Sequence, residues 1–564
     1  MQKFADMEYK RPDVEAFRKY LNDYIENLKA APDYETAKKL FLAQKEKMAE
    51  LSTMRSIAYI RNTVNTADEF YDGEITYFNS EMPKLSLIMR KASEALLDSP
   101  FRADFEKDYG TIFIKNMENS RRFADERIIP DQIEEGKLEK EYSRTSASCK
   151  TTFRGKECNF YGLLKAMQST DRAERKEAFE AWADLYERTA DELDREYDEL
   201  IEVRCRIAHT LGFSNYIDMA YLSRRRFDYT AEDVKVFRKQ VKDVIVPAVD
   251  RLFKEQAERL GVDKLRYYDE SLCYPDGNAV PIGNKDELVA KAQKMYHELS
   301  PETAEFFDFM VENDLFDLET KPGKRPGGYC TSLPMYKAPF IFSNFNGTSA
   351  DVDVLTHEAG HAFEGYTASR VLPISDLSHS TSEINEIHSM AMEHFTYPWM
   401  ELFFGENADK YRYAHLKSAL EVIPYMVCVD EFQHRVFENG GLNAKERRAV
   451  WHELEQTYMP WRDYDGNEFL GEGGFWMQKQ HIFLYPFYYI DYALAQMGAF
   501  EFYTRMKQDH AAAWADYYKL CTLGGSKGYF ELLESVGLSN PFKEGSVRKA
   551  VSGVLEELFK ENKR

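Results

Sequence analysis

Residues 357–361 have the sequence His-Glu-Ala-Gly-His, and this short stretch carries the most specific chemical signal in the chain. On a helix, His357 and His361 are four residues apart and project from one face, so both imidazoles can hold one metal ion. Glu358 then lies over the open side of that ion, where its carboxylate can take a proton from water. The pattern therefore predicts a zinc-peptidase site.

The alternative interpretation is a surface helix with two incidental histidines. Histidine is scarce, with 12 in 564 residues. The pattern would arise by chance only about once in some tens of chains of this composition. A third metal ligand elsewhere in the sequence would favour the zinc site over the surface helix.

The residues around the motif favour a helix. Ser349 or Asp351 can cap its start, and Asp351 and Asp353 lie near its positive N-terminal end. Gly360 is unfavourable inside a helix by roughly 1 kcal/mol. A residue this small between the two histidines would let another backbone or a substrate come close.

A second helix is predicted after the motif, and it offers the third ligand. Ser380-x-x-Glu383 has the form of a capping box, which predicts the start of this helix. Glu386 lies 25 residues beyond His361 (386 − 361 = 25), so a short loop and an antiparallel return would bring it to the metal. Glu383 is the competing carboxylate. Glu393 shares a face with Glu386 and is a candidate partner for a ligand histidine.

Two further segments suggest contacts with a substrate. Residues Ala338–Phe345 have the pattern of a strand, and an open strand edge could align an extended peptide along the metal; the alternative is a buried hairpin. The glycine-rich stretch Gly471–Gly474 precedes His481–Tyr492, which contains several tyrosines. This pattern indicates side-chain donors beside a mobile loop that close on a substrate, and the alternative is an aromatic core.

The composition predicts a soluble, globular protein with two or three subdomains: 44% of the residues are hydrophobic and 30% are charged. A net charge of −22 argues against nucleic acids and anionic membranes as partners. No apolar run approaches the roughly 20 residues that cross a bilayer, and residues 1–13 have no signal-peptide core. The seven cysteines form no C-x-x-C pair, which predicts free thiols in a reducing cytoplasm.

Most of the first half has helical periodicity. Apolar residues recur at intervals of three or four from Pro12 to Leu28, and a longer stripe runs from Phe179 to Ile201. Arg154–Glu157 has the composition of a hairpin tip, so a soft boundary is expected nearby. We therefore predict an N-terminal helical region at residues 1–165 and a catalytic region at residues 166–564.

Three runs resemble the thimet oligopeptidase and oligoendopeptidase F family of zinc peptidases. They are H-E-A-G-H-A-F from His357, E-I-H-S-M-A-M-E from Glu386, and H-I-F-L-Y-P-F-Y-Y-I-D-Y from His481. The similarity extends over nearly the whole chain. It implies one Zn²⁺ ion per chain, with the metal ligands His357, His361 and Glu386. It also implies that Glu358 is the general base. Around the substrate and the developing oxyanion it places the side chains of His481, Tyr485, Tyr489 and Tyr492.

The same resemblance implies a mainly α fold, in which a two-lobed helical body encloses a deep substrate channel and a small β-sheet lies next to the metal-binding helix. The predicted function is an endo-oligopeptidase that cleaves internal bonds of short unfolded peptides, collagen-derived ones included. The alternatives are a carboxypeptidase on the same body, a peptide-binding protein without chemistry, and a structural zinc protein. The last is disfavoured because structural sites usually have four protein ligands. The sequence leaves the oligomeric state open.

Overall fold

The computed structural model describes residues 1–123, 125–438, 440 and 442–561, and most of these residues are helical. In chain order the α-helices are α1 (Val14–Lys29), α2 (Tyr34–Val64), α3 (Glu69–Leu97), α4 (Arg102–Tyr109), α5 (Thr111–Arg122), α6 (Ile129–Ser148), α7 (Phe160–Ala166), α8 (Arg172–Thr210), α9 (Tyr216–Ser223), α10 (Ala231–Leu260), α11 (Lys285–Leu299), α12 (Pro301–Glu312), α13 (Ala350–Val371), α14 (Ser382–Phe395), α15 (Met400–Phe404), α16 (Ala408–Glu438), α17 (Ala444–Tyr458), α18 (Glu468–Gly471), α19 (Gln480–Leu484), α20 (Tyr489–Gln508), α21 (His510–Leu523), α22 (Tyr529–Ser535) and α23 (Ser546–Glu561). The strands are β1 (Thr151–Phe153), β2 (Lys156–Cys158), β3 (Phe316–Glu319), β4 (Tyr329–Leu333) and β5 (Ala338–Phe345). The predicted mainly α fold class is confirmed.

Local sequence explains where several helices begin. The Asp13 carboxylate accepts a hydrogen bond from the Ala16 N–H (2.9 Å) at the start of α1. Asp33 accepts one from the Thr36 N–H (2.8 Å) at the start of α2. Each acid satisfies an N–H group that the helix itself leaves without a partner. None of the helices in the described part of the chain combines the length and hydropathy that a bilayer crossing needs.

The chain divides into two compact units, each assembled from separate segments. The first comprises Met1–Ala124, Val280–Ala408 and Phe502–Ser539, and the second comprises Asp125–Ala279, Asp409–Glu501 and Asn540–Arg564. Aromatic rings fill much of both interiors. The predicted apolar stripe on α8 is buried, with Phe179 and Trp182 in the core of the second unit. The sequence-based division near residue 165 stays a prediction.

The three-stranded sheet of the first unit has the order β3-β5-β4, and it packs against α13. The central strand β5 runs parallel to β3 and antiparallel to β4. The expectation that residues 338–345 have an open edge is therefore wrong, because both edges of β5 are paired. The continuous burial of β5 from Ala338 to Ser343 suits a central strand. Within the described residues, β3 and β4 are the outer strands of this sheet, and each keeps one edge without a strand partner.

The caps of the two motif helices differ from those that the sequence predicts. Ser349 is the N-cap of α13, but its side chain makes no capping bond. The Asp351 carboxylate instead accepts hydrogen bonds from the Asn346 N–H (2.9 Å) and the Gly347 N–H (2.8 Å), so it fixes the turn before the helix. The N-cap of α14 is Thr381, one residue after the predicted Ser380.

Candidate metal centre

Helices α13 and α14 pack with their backbones unusually close at Gly360. A Cβ atom at this position would lie 2.6 Å from the His388 carbonyl oxygen and 2.6 Å from the Ser389 Cα. Both distances are far below ordinary contact, so only glycine fits here without displacing α14. Of the two explanations that the sequence allows for this small residue, the structure shows the close approach of a backbone.

This contact brings three side chains from the two helices together. The Glu386 Oε2 atom lies 3.4 Å from the His357 Nε2 atom and 3.4 Å from the His361 Nε2 atom. One ligand atom from each of these residues lies within 4.8 Å of the other two. The carboxylate that the structure brings to the histidines is thus Glu386 and not Glu383.

The geometry of these three groups fits a metal ion. Two donors each about 2.0–2.1 Å from a tetrahedral ion lie about 3.3 Å apart, close to the separation of Glu386 Oε2 from either imidazole nitrogen. Two imidazoles and one carboxylate are a donor set that Zn²⁺ accepts, and three protein ligands leave one position open for water or substrate. The residues present therefore fit a catalytic rather than a structural zinc site.

Two more side chains of α14 orient these groups. The Nδ1 atom of His357 lies 2.6 Å from Glu393 Oε1, so the imidazole can donate its proton there and turn Nε2 towards Glu386. The Ser389 hydroxyl donates to Glu386 Oε2 (3.1 Å). The spacing of Glu386 and Glu393 predicts the first contact. Ser389 was missed, although its position three residues after Glu386, on the same helical face, is a usable signal.

Charge pairing among these side chains outweighs the effect of burial on their pKa values. Burial alone would lower the pKa of His357, but hydrogen bonds to Glu386 and Glu393 raise it well above its ordinary value. Burial alone would raise the pKa of the Glu386 carboxyl, but the neighbouring His361 and His357 hold it well below its usual range. Both shifts favour the charged forms of the two groups, the Glu386 carboxylate and the His357 imidazolium.

Glu358 lies outside the converging group. It is 9% exposed, and burial raises the pKa of its carboxyl, while the two histidines oppose that shift. Gly328, just before β4, lies close to it, since a Cβ atom there would be 3.8 Å from Glu358 Oε1. The Glu358 carboxyl is thus not among the three converging groups, and it lies near the start of the outer strand β4.

Two polar side chains fix the loop that carries Gly328. The buried ammonium group of Lys324 donates to the carbonyl oxygens of Asp317 (3.0 Å) and Glu319 (2.8 Å), where the pairing of β3 with β5 is irregular. The Asn344 side-chain amide donates to the Gly327 carbonyl oxygen (2.8 Å). This loop is therefore bonded to the sheet next to Glu358.

The aromatic residues predicted around the substrate belong to the second unit, where they form one cluster. The ring centroid of His481 lies 5.8 Å from Tyr485, 5.0 Å from Tyr489 and 6.3 Å from Tyr492. Tyr485 is 50% exposed, which is high for a large aromatic side chain, whereas Tyr489 is 8% exposed. Of these two tyrosines, Tyr485 therefore has the more accessible side chain, and Tyr489 packs as a core residue would.

Comparison with known proteins connects both units to one group of peptidases. The model of the Peptidase M3 N-terminal domain matches residues 4–123. Among curated relatives, an oligoendopeptidase F homolog of Borreliella burgdorferi is 24% identical over 383 residues, covering 66% of this chain and 62% of the relative. The chromosomal oligoendopeptidase F of Lactococcus lactis subsp. cremoris is 23% identical over 352 residues, covering 59% and 54%. The matches thus span less than two thirds of these relatives' length.

Solved structures match the chain over its full length. The structure of Pz peptidase A with an inhibitor superposes with a TM-score of 0.94 and 43% sequence identity, covering 100% of both chains. Oligoendopeptidase F from Enterococcus faecium shares the fold with a TM-score of 0.62 at 15% identity, covering 97% and 99%. The model of Peptidase family M3 matches residues 165–551, which include α13, α14 and the aromatic cluster. The chain therefore belongs to peptidase family M3, a family of peptide-bond hydrolases.

Proposed function

We propose that this chain is a zinc-dependent endo-oligopeptidase that hydrolyses internal bonds of short unfolded peptides, collagen-derived peptides among them. The observation that carries the proposal is the position of Glu386 Oε2, 3.4 Å from the Nε2 atoms of both His357 and His361. Glu358 lies on the same helix as the histidines and outside the ligand group. Membership in peptidase family M3 supports the reaction class.

In this proposal His357, His361 and Glu386 hold one zinc ion per chain, and Glu358 is the general base. When bound, the ion supplies Lewis-acid activation of water and of the scissile carbonyl group. The Glu358 carboxylate takes a proton from the attacking water as the water oxygen bonds to the carbonyl carbon. It then gives that proton to the amine nitrogen as the carbon–nitrogen bond breaks. Burial raises the pKa of Glu358, which suits a carboxyl that accepts and returns a proton.

The aromatic cluster supplies the remaining roles in this proposal. The Tyr485 hydroxyl donates a hydrogen bond to the oxyanion that develops on the carbonyl oxygen, and its half-exposed side chain supports that assignment. His481 is proposed as a second catalytic group in the same cluster. Tyr489 and Tyr492 are proposed to contact the substrate.

The substrate class follows from the sheet and from the family. The edge of β4 beside Glu358 offers backbone groups to an extended peptide. We further propose that a deep channel admits short peptides and excludes folded proteins, and that residues 166–564 form the catalytic region. The proposal also includes a cytoplasmic location, for which the seven free cysteines give support.

A peptide blocked at both ends, incubated with the purified chain before and after chelation, tests the proposed function. We expect two internal fragments, loss of cleavage with a chelator, and recovery when zinc is returned. A carboxypeptidase would leave the blocked peptide intact and would cleave the same peptide with a free C-terminus. Binding of the peptide without cleavage in the zinc-loaded protein would contradict any peptidase assignment.

A further inference from the structure

The short turn between α19 and α20 has an unusual backbone. Phe487 has a φ angle of 60°, in the left-handed region that residues with a side chain rarely adopt. Its ring is fully buried, with ring-centroid distances of 4.8 Å to His434 and 5.7 Å to Phe437. Such a conformation persists only where surrounding groups determine it, and it is common at functional sites. The groups that bond this turn therefore indicate what fixes its conformation.

Three polar side chains hold the backbone of the turn. The Arg224 Nε group donates to the Pro486 carbonyl oxygen (3.0 Å), and the Arg226 Nη2 group donates to the Phe487 carbonyl oxygen. On the other side, the Gln433 side-chain oxygen accepts a hydrogen bond from the Phe487 N–H (3.2 Å). The backbone of residues 486–487 is thus fixed by bonds from outside the turn.

Arg226 is the central member of these three side chains. Its side chain is fully buried, and its Nη2 group also donates to Asp491 Oδ1 (2.6 Å) in α20. Burying two charges is costly, and replacing such a pair with apolar side chains is often neutral or stabilising. Stability alone is therefore a weak reason for an arginine here. What this arginine adds is a donor that binds the turn and α20 at the same time.

Within this turn, the side chain of Tyr485 is exposed to solvent. Its own N–H donates to the His481 carbonyl oxygen (2.9 Å), and its carbonyl oxygen accepts from the Tyr488 N–H (3.1 Å). The Arg224 guanidinium also lies 4.8 Å from the ring centroid of Tyr488, the last residue of the turn. With its backbone fixed on both sides and its side chain 50% exposed, Tyr485 is presented from a supported turn.

We infer that Arg226, with Gln433, is a positioning residue that fixes the Tyr485 hydroxyl for its part in the reaction. The inference rests on the proposed function, in which that hydroxyl donates to the developing oxyanion. A donor must be held within about 0.5 Å of its productive position to be effective. Arg226 and Gln433 add bonds to the Phe487 carbonyl oxygen and N–H group to the backbone bonds within the turn, and we infer that these added bonds provide that rigidity.

A double-mutant cycle tests this inference on the zinc-loaded enzyme, with the variants Arg226→Lys, Tyr485→Phe and both together. Lysine keeps the positive charge beside Asp491 but lacks the planar guanidinium whose Nη2 group bonds both the Phe487 carbonyl oxygen and Asp491 Oδ1. We expect Arg226→Lys to lower kcat by about 10- to 100-fold, with normal zinc content. The double variant should be no slower than Tyr485→Phe alone, because the arginine acts through that hydroxyl.

Arg447→Lys is the matched control. Arg447 is a fully buried arginine in the same unit, paired with Asp194 (3.0 Å) and bonded to no residue of the turn. We expect it to lower Tm while leaving kcat unchanged. If Arg226→Lys does not fold, Gln433→Leu removes the other hold on Phe487 without unpairing a charge, and it should lower kcat through the same hydroxyl.

Two results would overturn the inference. One is a multiplicative fall in the double variant, which would mean that Arg226 acts independently of Tyr485. The other is wild-type kcat in folded Arg226→Lys or Gln433→Leu while Tyr485→Phe alone is slow; this would leave the proposed function intact. If Tyr485→Phe itself has wild-type kcat, the proposed role of the tyrosine fails, and the positioning role fails with it.

Discussion

Replacing Gly360 with alanine is the perturbation whose effect the structure predicts most closely. The new Cβ would lie 2.6 Å from the His388 oxygen, 2.6 Å from the Ser389 Cα and 3.0 Å from the Met392 Cβ. All three atoms belong to α14, and two of them are backbone atoms that cannot rotate away. Restoring an ordinary contact of about 3.4 Å would require α14 to move by roughly 0.8 Å.

That displacement acts directly on the metal ligands, because α14 carries Glu386 and α13 carries both histidines. Metal–ligand distances tolerate only about 0.2 Å, so we expect a large loss of zinc affinity. Mutating a group that only orients a metal ligand lowers metal affinity by about 10- to 100-fold. We take this range as the lower bound for the loss of zinc affinity in Gly360→Ala. Alanine gains about 1 kcal/mol of helix propensity, whereas overpacking costs about 1–3 kcal/mol. Overall stability should therefore fall by no more than about 2 kcal/mol.

The assay is a zinc competition titration with a chromophoric chelator, paired with thermal unfolding of the metal-free protein. Gly365→Ala is the matched control on the same helix, because its added Cβ would meet only the His379 Cε1 atom at an ordinary 3.6 Å. We expect the control to bind zinc normally and to be as stable as the wild type or more so. Wild-type zinc affinity in Gly360→Ala would refute the claim that this contact sets the metal geometry.

Glu386→Ala should abolish stoichiometric zinc binding and Glu383→Ala should preserve it, as measured by metal analysis; the reverse result would make Glu383 the third ligand. Tyr485→Phe keeps the ring and removes the donor, so we expect kcat to fall by about 10²–10³ with little change in KM. Wild-type kcat would return this tyrosine to a packing role. A native globular protein should survive an incubation that cleaves its unfolded fragments, and rapid internal cleavage of the native protein would contradict the proposed channel.

The sequence predicts the metal group because its signals are local. His357 and His361 are one helical turn apart, and Glu386 follows on the next helix after a short connection, so periodicity and loop length suffice to bring them together. The structure brings these side chains together, while their roles stay a proposal. The small residue at position 360 could be noticed in the sequence, but its partner could not, since that contact depends on how α14 packs.

The features that the sequence does not predict depend on distant residues. The position of β5 at the centre of its sheet is set by pairing with β3 and β4, which the strand's own composition does not reveal. The glycine-rich stretch at 471–474 has the composition of a mobile loop. In the structure Gly473 and Gly474 are closely packed, since a Cβ at Gly473 would lie 2.0 Å from the Arg448 carbonyl oxygen and one at Gly474 would lie 2.5 Å from the Phe469 ring, whereas Gly471 has open space. These two glycines thus allow close packing, which composition alone does not distinguish from a mobile loop.

The most direct test of the central claim is a comparison of zinc content and turnover in Glu358→Gln, measured on one preparation. Glutamine preserves the shape of the side chain but cannot accept the proton from water. We predict one zinc per chain, an unchanged fold, and a fall in kcat of about 10²–10⁴ on a peptide blocked at both ends. Wild-type turnover in this variant, or loss of its zinc, would contradict the assignment of Glu358 as a base outside the ligand group.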